Sequence, residues 1–179
     1  EIIPMWVADM DFASPPAVIQ ALHQRVDHKI FGYGEPDPRL KELISDHLLQ
    51  SHQWVISPEW IVWLPGLVTG LNVTCRSVGR PGAGVLTMTP VYPPFLTAPR
   101  FAGKRLQTSG LAFSEKRWQV DFEALRQTMD AKTALFLLCN PHNPTGRVFT
   151  RNELETMADL CLRADLAITR GEVQGAAIV

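Results

Sequence analysis

Apolar residues recur along this chain with two different periods. Near the start, Val18, Ile19, Leu22, Val26 and Ile30 are spaced by threes and fours, the spacing of one helix face. Pro15-Pro16 opens that pattern and Ser14 stands where a capping residue belongs, which predicts a helix over 15–29. The turn-rich stretch from Gly32 to Pro38 interrupts it, and Leu40, Leu43, Ile44, His47 and Leu48 then repeat the helical period.

From residue 60 the pattern changes to short apolar runs at 60–64, 85–89, 105–108, 134–139 and 166–169. Helical patterns at 66–78, 94–101, 121–130 and 151–164 lie between them. Strands alternating with helices predict an α/β fold with a mainly parallel sheet covered by helices on both faces. Thr150, with Glu153 three residues on, reads as a capping box for the last helix, and Asp121 is placed to start its own. No repeat, low-complexity tract or long linker breaks the chain internally.

Of the 179 residues 46% are apolar, enough for a sizeable core. The 17 Lys and Arg residues nearly balance 18 acidic ones and are scattered, so the field that holds a nucleic-acid backbone is missing. No window approaches the roughly 18 consecutive apolar residues of a membrane span. The opening Glu1-Ile2-Ile3-Pro4 has neither the basic nor the apolar part of a signal peptide, so a cytoplasmic location is expected. Cys75, Cys139 and Cys161 are odd in number, far apart and set in apolar runs, a pattern of buried reduced thiols rather than of disulfides or zinc. The five histidines show no metal pattern, and solvated or edge positions account for them. The first residue is not methionine and the last five, Gly175 to Val179, read as buried strand, so a fragment is expected.

Three loops follow apolar runs, where ligands bind in open α/β sheets. Asn140-Pro141-His142-Asn143-Pro144-Thr145-Gly146 is the most informative. Its prolines and glycine fix the path, so Asn140 and Asn143 are held at defined angles with amides that both donate and accept. In Thr89-Pro90-Val91-Tyr92-Pro93-Pro94-Phe95, Tyr92 could offer a flat face to a heteroaromatic ring, although taken alone it reads as a packing residue. In Leu64-Pro65-Gly66-Leu67-Val68-Thr69-Gly70, a helix start presents free amides and a positive dipole end to a phosphate; a simple tight turn competes. The glycine-rich 79–84 stretch precedes a strand and reads as a connector. No Gly-x-Ser-x-Gly elbow supports a hydrolase.

These loops, with the opening Met5-Trp6-Val7-Ala8-Asp9-Met10-Asp11-Phe12 and with Phe31-Gly32-Tyr33, resemble the fold type I pyridoxal-phosphate enzymes of the class I/II aminotransferase superfamily. Within them the chain is most similar to the MalY/PatB-type cystathionine β-lyases, or cysteine-S-conjugate β-lyases. The resemblance implies an incomplete PLP-dependent transferase-like large domain. Asn143 would bond the cofactor's phenolic oxygen, Tyr92 would stack on its ring, and the Leu67 and Val68 backbone would hold its phosphate. Tyr33 would reach the phosphate in the partner subunit of a homodimer. Residues 1–35 would serve the active site and dimer contact, and 36–179 would form the partial cofactor-binding domain.

Two departures follow from the same resemblance. Gly171 of Arg170-Gly171-Glu172-Val173-Gln174 stands where the family has the aspartate that pairs with the pyridinium nitrogen. The lysine that bonds the cofactor covalently lies further along in the family, and none of Lys29, Lys41, Lys104, Lys116 and Lys132 sits in a matching loop. The resemblance therefore implies a C–S lyase piece that takes amino-acid thioethers, has no catalytic residue or metal of its own, and is inactive alone. An aminotransferase fragment and a non-catalytic protein acting only by contact are the alternatives.

Overall fold

The computed structural model describes residues 11–171; Met5 to Met10 of the opening motif lie outside that range, as do Glu172-Val173-Gln174 and the run Gly175 to Val179 expected as strand. Its contacts divide the chain into two compact units, Glu1–Ile61 and Val62–Val179. The expected division near residue 35 was drawn on function and is a different line from this one.

The first unit contains α1 (Pro16–Asp27) and α2 (Pro38–His52). Pro15 and not Ser14 is the capping residue of α1, and no side chain caps it. Asp37 caps α2 by accepting the Arg39 N–H at 2.9 Å, and Gln53 closes it in the left-handed region at φ 53°. Neither helix buries a residue fully.

The expected strand at 60–64 does not form. Pro58–Trp60 is a 3-10 turn, and Ile61–Leu64 has no regular structure. Among the described residues this run has no strand beside it to complete a ladder, and Trp60 and Val62 stay largely exposed.

The second unit carries α3 (Leu67–Ser77), β1 (Gly84–Thr89), α4 (Pro94–Phe101), β2 (Arg105–Gly110), β3 (Ala112–Ser114), β4 (Arg117–Gln119), α5 (Phe122–Thr128), β5 (Thr133–Cys139), α6 (Arg151–Arg163) and β6 (Ala167–Gly171). Four parallel strands form a sheet in the order β2-β1-β5-β6. The small antiparallel hairpin β3–β4 stands apart from it.

Because successive side chains of a strand point to opposite faces, each central strand feeds two cores. On one face Leu86, Met88, Phe136 and Leu138 pack with Leu125 of α5 and with Met157 and Cys161 of α6. On the other, Val85, Leu135, Leu137 and Cys139 pack with Leu71 and Cys75 of α3 and with Phe95 and Ala98 of α4. Thr87, fully buried between them, donates its hydroxyl to the Leu137 carbonyl at 3.0 Å, which meets the requirement that buried polar groups be paired.

Lys104 is buried as well. Its Nζ donates to the carbonyls of Val78 (2.7 Å), Gly79 (2.6 Å) and Arg80 (3.0 Å), closing the end of α3 with a cation. Gly79 at φ 69° has to be glycine, since a Cβ there would lie 2.6 Å from that of Ala134. All three cysteines are free and buried.

Candidate functional site

The parallel order brings the carboxyl ends of β1, β5 and β6 to one edge of the second unit. The loop after β1 and the loop after β5 are joined there: the Tyr92 N–H donates to the Asn143 carbonyl at 2.9 Å. The peptides Thr89-Pro90, Asn140-Pro141 and Asn143-Pro144 in these loops are cis.

Asn140 and Asn143, which look alike in the sequence, do different work. Asn140 is 3% exposed, and its Oδ1 accepts the Phe149 N–H at 3.2 Å. Its backbone bridges to β6, with N–H to the Gly171 carbonyl at 3.3 Å and carbonyl from Arg170 Nε at 3.1 Å. Asn143 is half-buried and holds its place through the backbone, its N–H meeting Cys139 Sγ at 3.4 Å. Its side-chain amide has no partner among the described residues, so both its donor and its acceptor are available to a ligand.

Tyr92 is half-buried at the rim of the α3/α4 core, and its carbonyl accepts the Phe95 N–H at 3.0 Å in the first turn of α4. The start of α3 approaches the same edge, since a Cβ built on Gly171 would lie 3.8 Å from Leu67 Cδ2. Gly66 precedes α3 at φ 98°, a conformation that suits glycine, and no side chain caps the helix. The first amides of a helix have no partner within it, so Leu67 and Val68 direct bare N–H groups outward. Gly171 pairs with Cys139 across the sheet and contributes no side chain. Phe95 Cζ would stand 2.9 Å from a Cβ there and would have to swing aside for one.

Tyr33 is fully exposed in the first unit. Lys104 is committed to its three carbonyls, and Lys116 and Lys132 are on the surface away from these loops. No group of three or more metal-binding side chains occurs among the described residues.

The histidines need a correction. His23, His28, His47 and His52 are exposed as expected, but His142 is 2% exposed, with Nδ1 3.0 Å from Thr145 Oγ1. Burial and then the charge of Arg147 push its pKa down. Apolar periodicity gives no signal for burial inside a polar loop, so the sequence did not show it. Next to it Arg147 pairs with Glu153 of α6. Burial works against ionisation of Glu153, yet the Thr150 N–H together with the Arg147 and Thr150 side chains outweighs it and holds the carboxyl below its usual range.

An open parallel sheet with helices on both faces, and with two linked loops beyond its strand ends, defines the α/β class of fold. The family can be stated as well: a family model for aminotransferases of class I and II matches residues 1–168, and the chain belongs to that family. It is 37% identical over 174 residues to cystathionine beta-lyase PatB of Bacillus subtilis, across 97% of this chain and 45% of that protein. It is 31% identical to protein MalY of Escherichia coli over the same shares. Among solved structures, cystalysin from Treponema denticola, which contains a pyridoxal 5'-phosphate cofactor, superposes with a TM-score of 0.85 at 32% identity, over 94% of this chain and 43% of that one. The PLP-bound C-S lyase from Staphylococcus hominis gives 0.83 at 30% identity, over 93% and 44%. The chain thus spans a little under half the length of the relatives it matches. No helix among the described residues is long and apolar enough to cross a membrane.

Proposed function

We infer that this chain is the cofactor-gripping part of a pyridoxal-phosphate-dependent carbon–sulfur β-lyase acting on cystathionine or related cysteine S-conjugates. The observation that carries the reading is the Tyr92 to Asn143 backbone bond, which sets a flat aromatic side chain and an unpaired amide on adjoining loops beside the bare start of α3. Those donors suit the group's three handles: Leu67 and Val68 N–H for the phosphate, Tyr92 for the ring face, and Asn143 for the ring oxygen. When bound, pyridoxal phosphate supplies an electron-accepting ring that stabilises a carbanion beside the breaking C–S bond.

The residues described orient such a ligand but move no proton. Gly171 offers the ring nitrogen no carboxylate, and no lysine of the second unit reaches the strand-end edge unbound. The complete protein would therefore take its base from residues beyond these. Tyr33 would serve a second subunit of a homodimer, and the reading places the enzyme in the cytoplasm with a small amino-acid substrate. Amino-group transfer remains a second reading because the matching family model is itself one of aminotransferases. Pyruvate release against amino transfer by the full-length protein separates the two.

Titrating the purified chain with pyridoxal phosphate, with and without borohydride, tests the inference. Saturable binding that borohydride does not fix to a particular lysine is the expected result. Absence of saturable binding overturns it, and covalent fixation at one lysine overturns the assignment of the chain as lacking the covalent residue.

A further inference from the structure

The loop that carries Asn143 is built over a buried histidine. The His142 N–H donates to the Arg147 carbonyl at 2.7 Å and its carbonyl accepts the Gly146 N–H at 2.8 Å, closing residues 142–147 into a tight turn. Its ring meets Phe149 edge-on, centroids 5.7 Å apart and planes at 82°. On one side Nδ1 lies against the Thr145 hydroxyl. On the other, Nε2 is buried with no hydrogen-bond partner, and so is Nη1 of Arg147, whose guanidinium sits 4.9 Å from the centre of the same Phe149 ring. Native interiors leave few such atoms unpaired, so two in one loop mark a place with a role beyond packing.

The surroundings accept a neutral imidazole and oppose a charged one. Among the described residues, the charged and titratable groups of the elements that frame it are Arg147 in the loop, Glu153 on α6, Arg170 on β6 and the Cys139 thiol at the end of β5. Glu153 is the sole acid of that set, and it is already held by Arg147 and Thr150. Arg170 sends Nε to the Asn140 carbonyl. An imidazolium here would give up its water and face the Arg147 cation without gaining a carboxylate. Asn143 follows directly in the chain. It is fixed only by its backbone, so the direction of its free amide is inherited from the turn beneath it.

We propose that His142 is the positioning residue for Asn143: its neutral ring, locked under the loop, sets the direction of the Asn143 amide at the strand-end edge, and protonation of the ring releases that setting. The inference deepens the reading of Asn143 as a ligand-holding group and rests on it. The proton exchanged is that of Nε2 or Nδ1, whichever the neutral tautomer leaves bare.

Two measurements test it. The first is binding of pyridoxal phosphate between about pH 8 and pH 5 to the chain and to His142→Gln, which is neutral throughout. The ligand's own phosphate titrates in this window, so the variant supplies the baseline. The chain's affinity should fall about tenfold further than the variant's across the window, and parallel profiles overturn the proposal. The second needs no ligand: the imidazole nitrogen shifts are followed against pH by NMR, together with hydrogen exchange of the His142, Asn143 and Gly146 amides, which donate within the loop. His142 should take up its proton only below the ordinary imidazole range, and the amides should lose protection only when it does. Titration of His142 in the ordinary imidazole range with protection unchanged overturns the proposal whether or not a ligand binds. If ring and amides behave as expected while pyridoxal phosphate binds at no pH, the ligand reading of Asn143 fails and the coupling between ring and loop is upheld.

Discussion

Two helix starts in the second unit are built in opposite ways. At α6 the Thr150 hydroxyl accepts the Glu153 N–H at 3.3 Å, while Glu153 Oε2 takes the Thr150 N–H at 2.8 Å and Oε1 pairs with Arg147. At α3 there is no side-chain cap, only Gly66 at φ 98°. The closed start satisfies the Thr150 and Glu153 amides internally and serves stability. The open one leaves them for something that is not part of the chain, and it lies beside Phe95 and Gly171 at the strand ends. The comparison teaches that a missing cap is informative where the rest of the helix is well kept: the far end of α3 is closed by Lys104 with three hydrogen bonds.

The largest effect is expected at that far end. Lys104→Met should cost about 3 kcal/mol in urea unfolding, because the three carbonyls lose a charged donor and stay buried. A loss below about 1 kcal/mol would show that α3 does not depend on the closure. Next is Glu153→Gln, which keeps an acceptor for the capping box but removes the charge that pairs with Arg147, at about 2 kcal/mol. Since the Glu153 carboxyl is held below its usual range, its contribution is present above the unfolded-state value and fades as pH falls through the folded one. The variant should lose that part of the acid dependence of stability, as a pH series of denaturation midpoints would record. Thr150→Ala removes one hydroxyl from the same start, for about 1 kcal/mol. The smallest change in stability is expected at the open start: Leu67→Pro at the first helical position removes an N–H that no protein group uses, at a cost of about 1 kcal/mol or less. The same substitution should weaken pyridoxal-phosphate binding several-fold, and equal binding would remove that amide from the phosphate site.

The sheet was readable because both faces are covered. The runs at 85–89 and 134–139 carry apolar residues on both faces of the pleat, as a strand between two helical layers requires. The two linked loops were readable because proline, glycine and asparagine restrict the backbone in recognisable orders. The hairpin β3–β4 was not, since Ala112–Ser114 and Arg117–Gln119 are three residues each, too short to show a period. The run at 60–64 failed for the opposite reason: it has strand composition but no neighbour to pair with. His142 and the contrast between Asn140 and Asn143 depend on contacts with Phe149, Thr145 and Tyr92 that no local pattern encodes.

The three thiols give the fold a clock of its own. Burial pushes Cys75 and Cys161 up to about 11 and raises Cys139 as well, so at neutral pH almost none is in the nucleophilic thiolate form. They stand on α3, at the end of β5 and on α6, on both faces of the sheet. A thiol-reactive dye added to the intact chain would then be consumed only as fast as each element opens. The order in which the three sites are labelled would rank the local lifetimes of these elements without introducing a single probe.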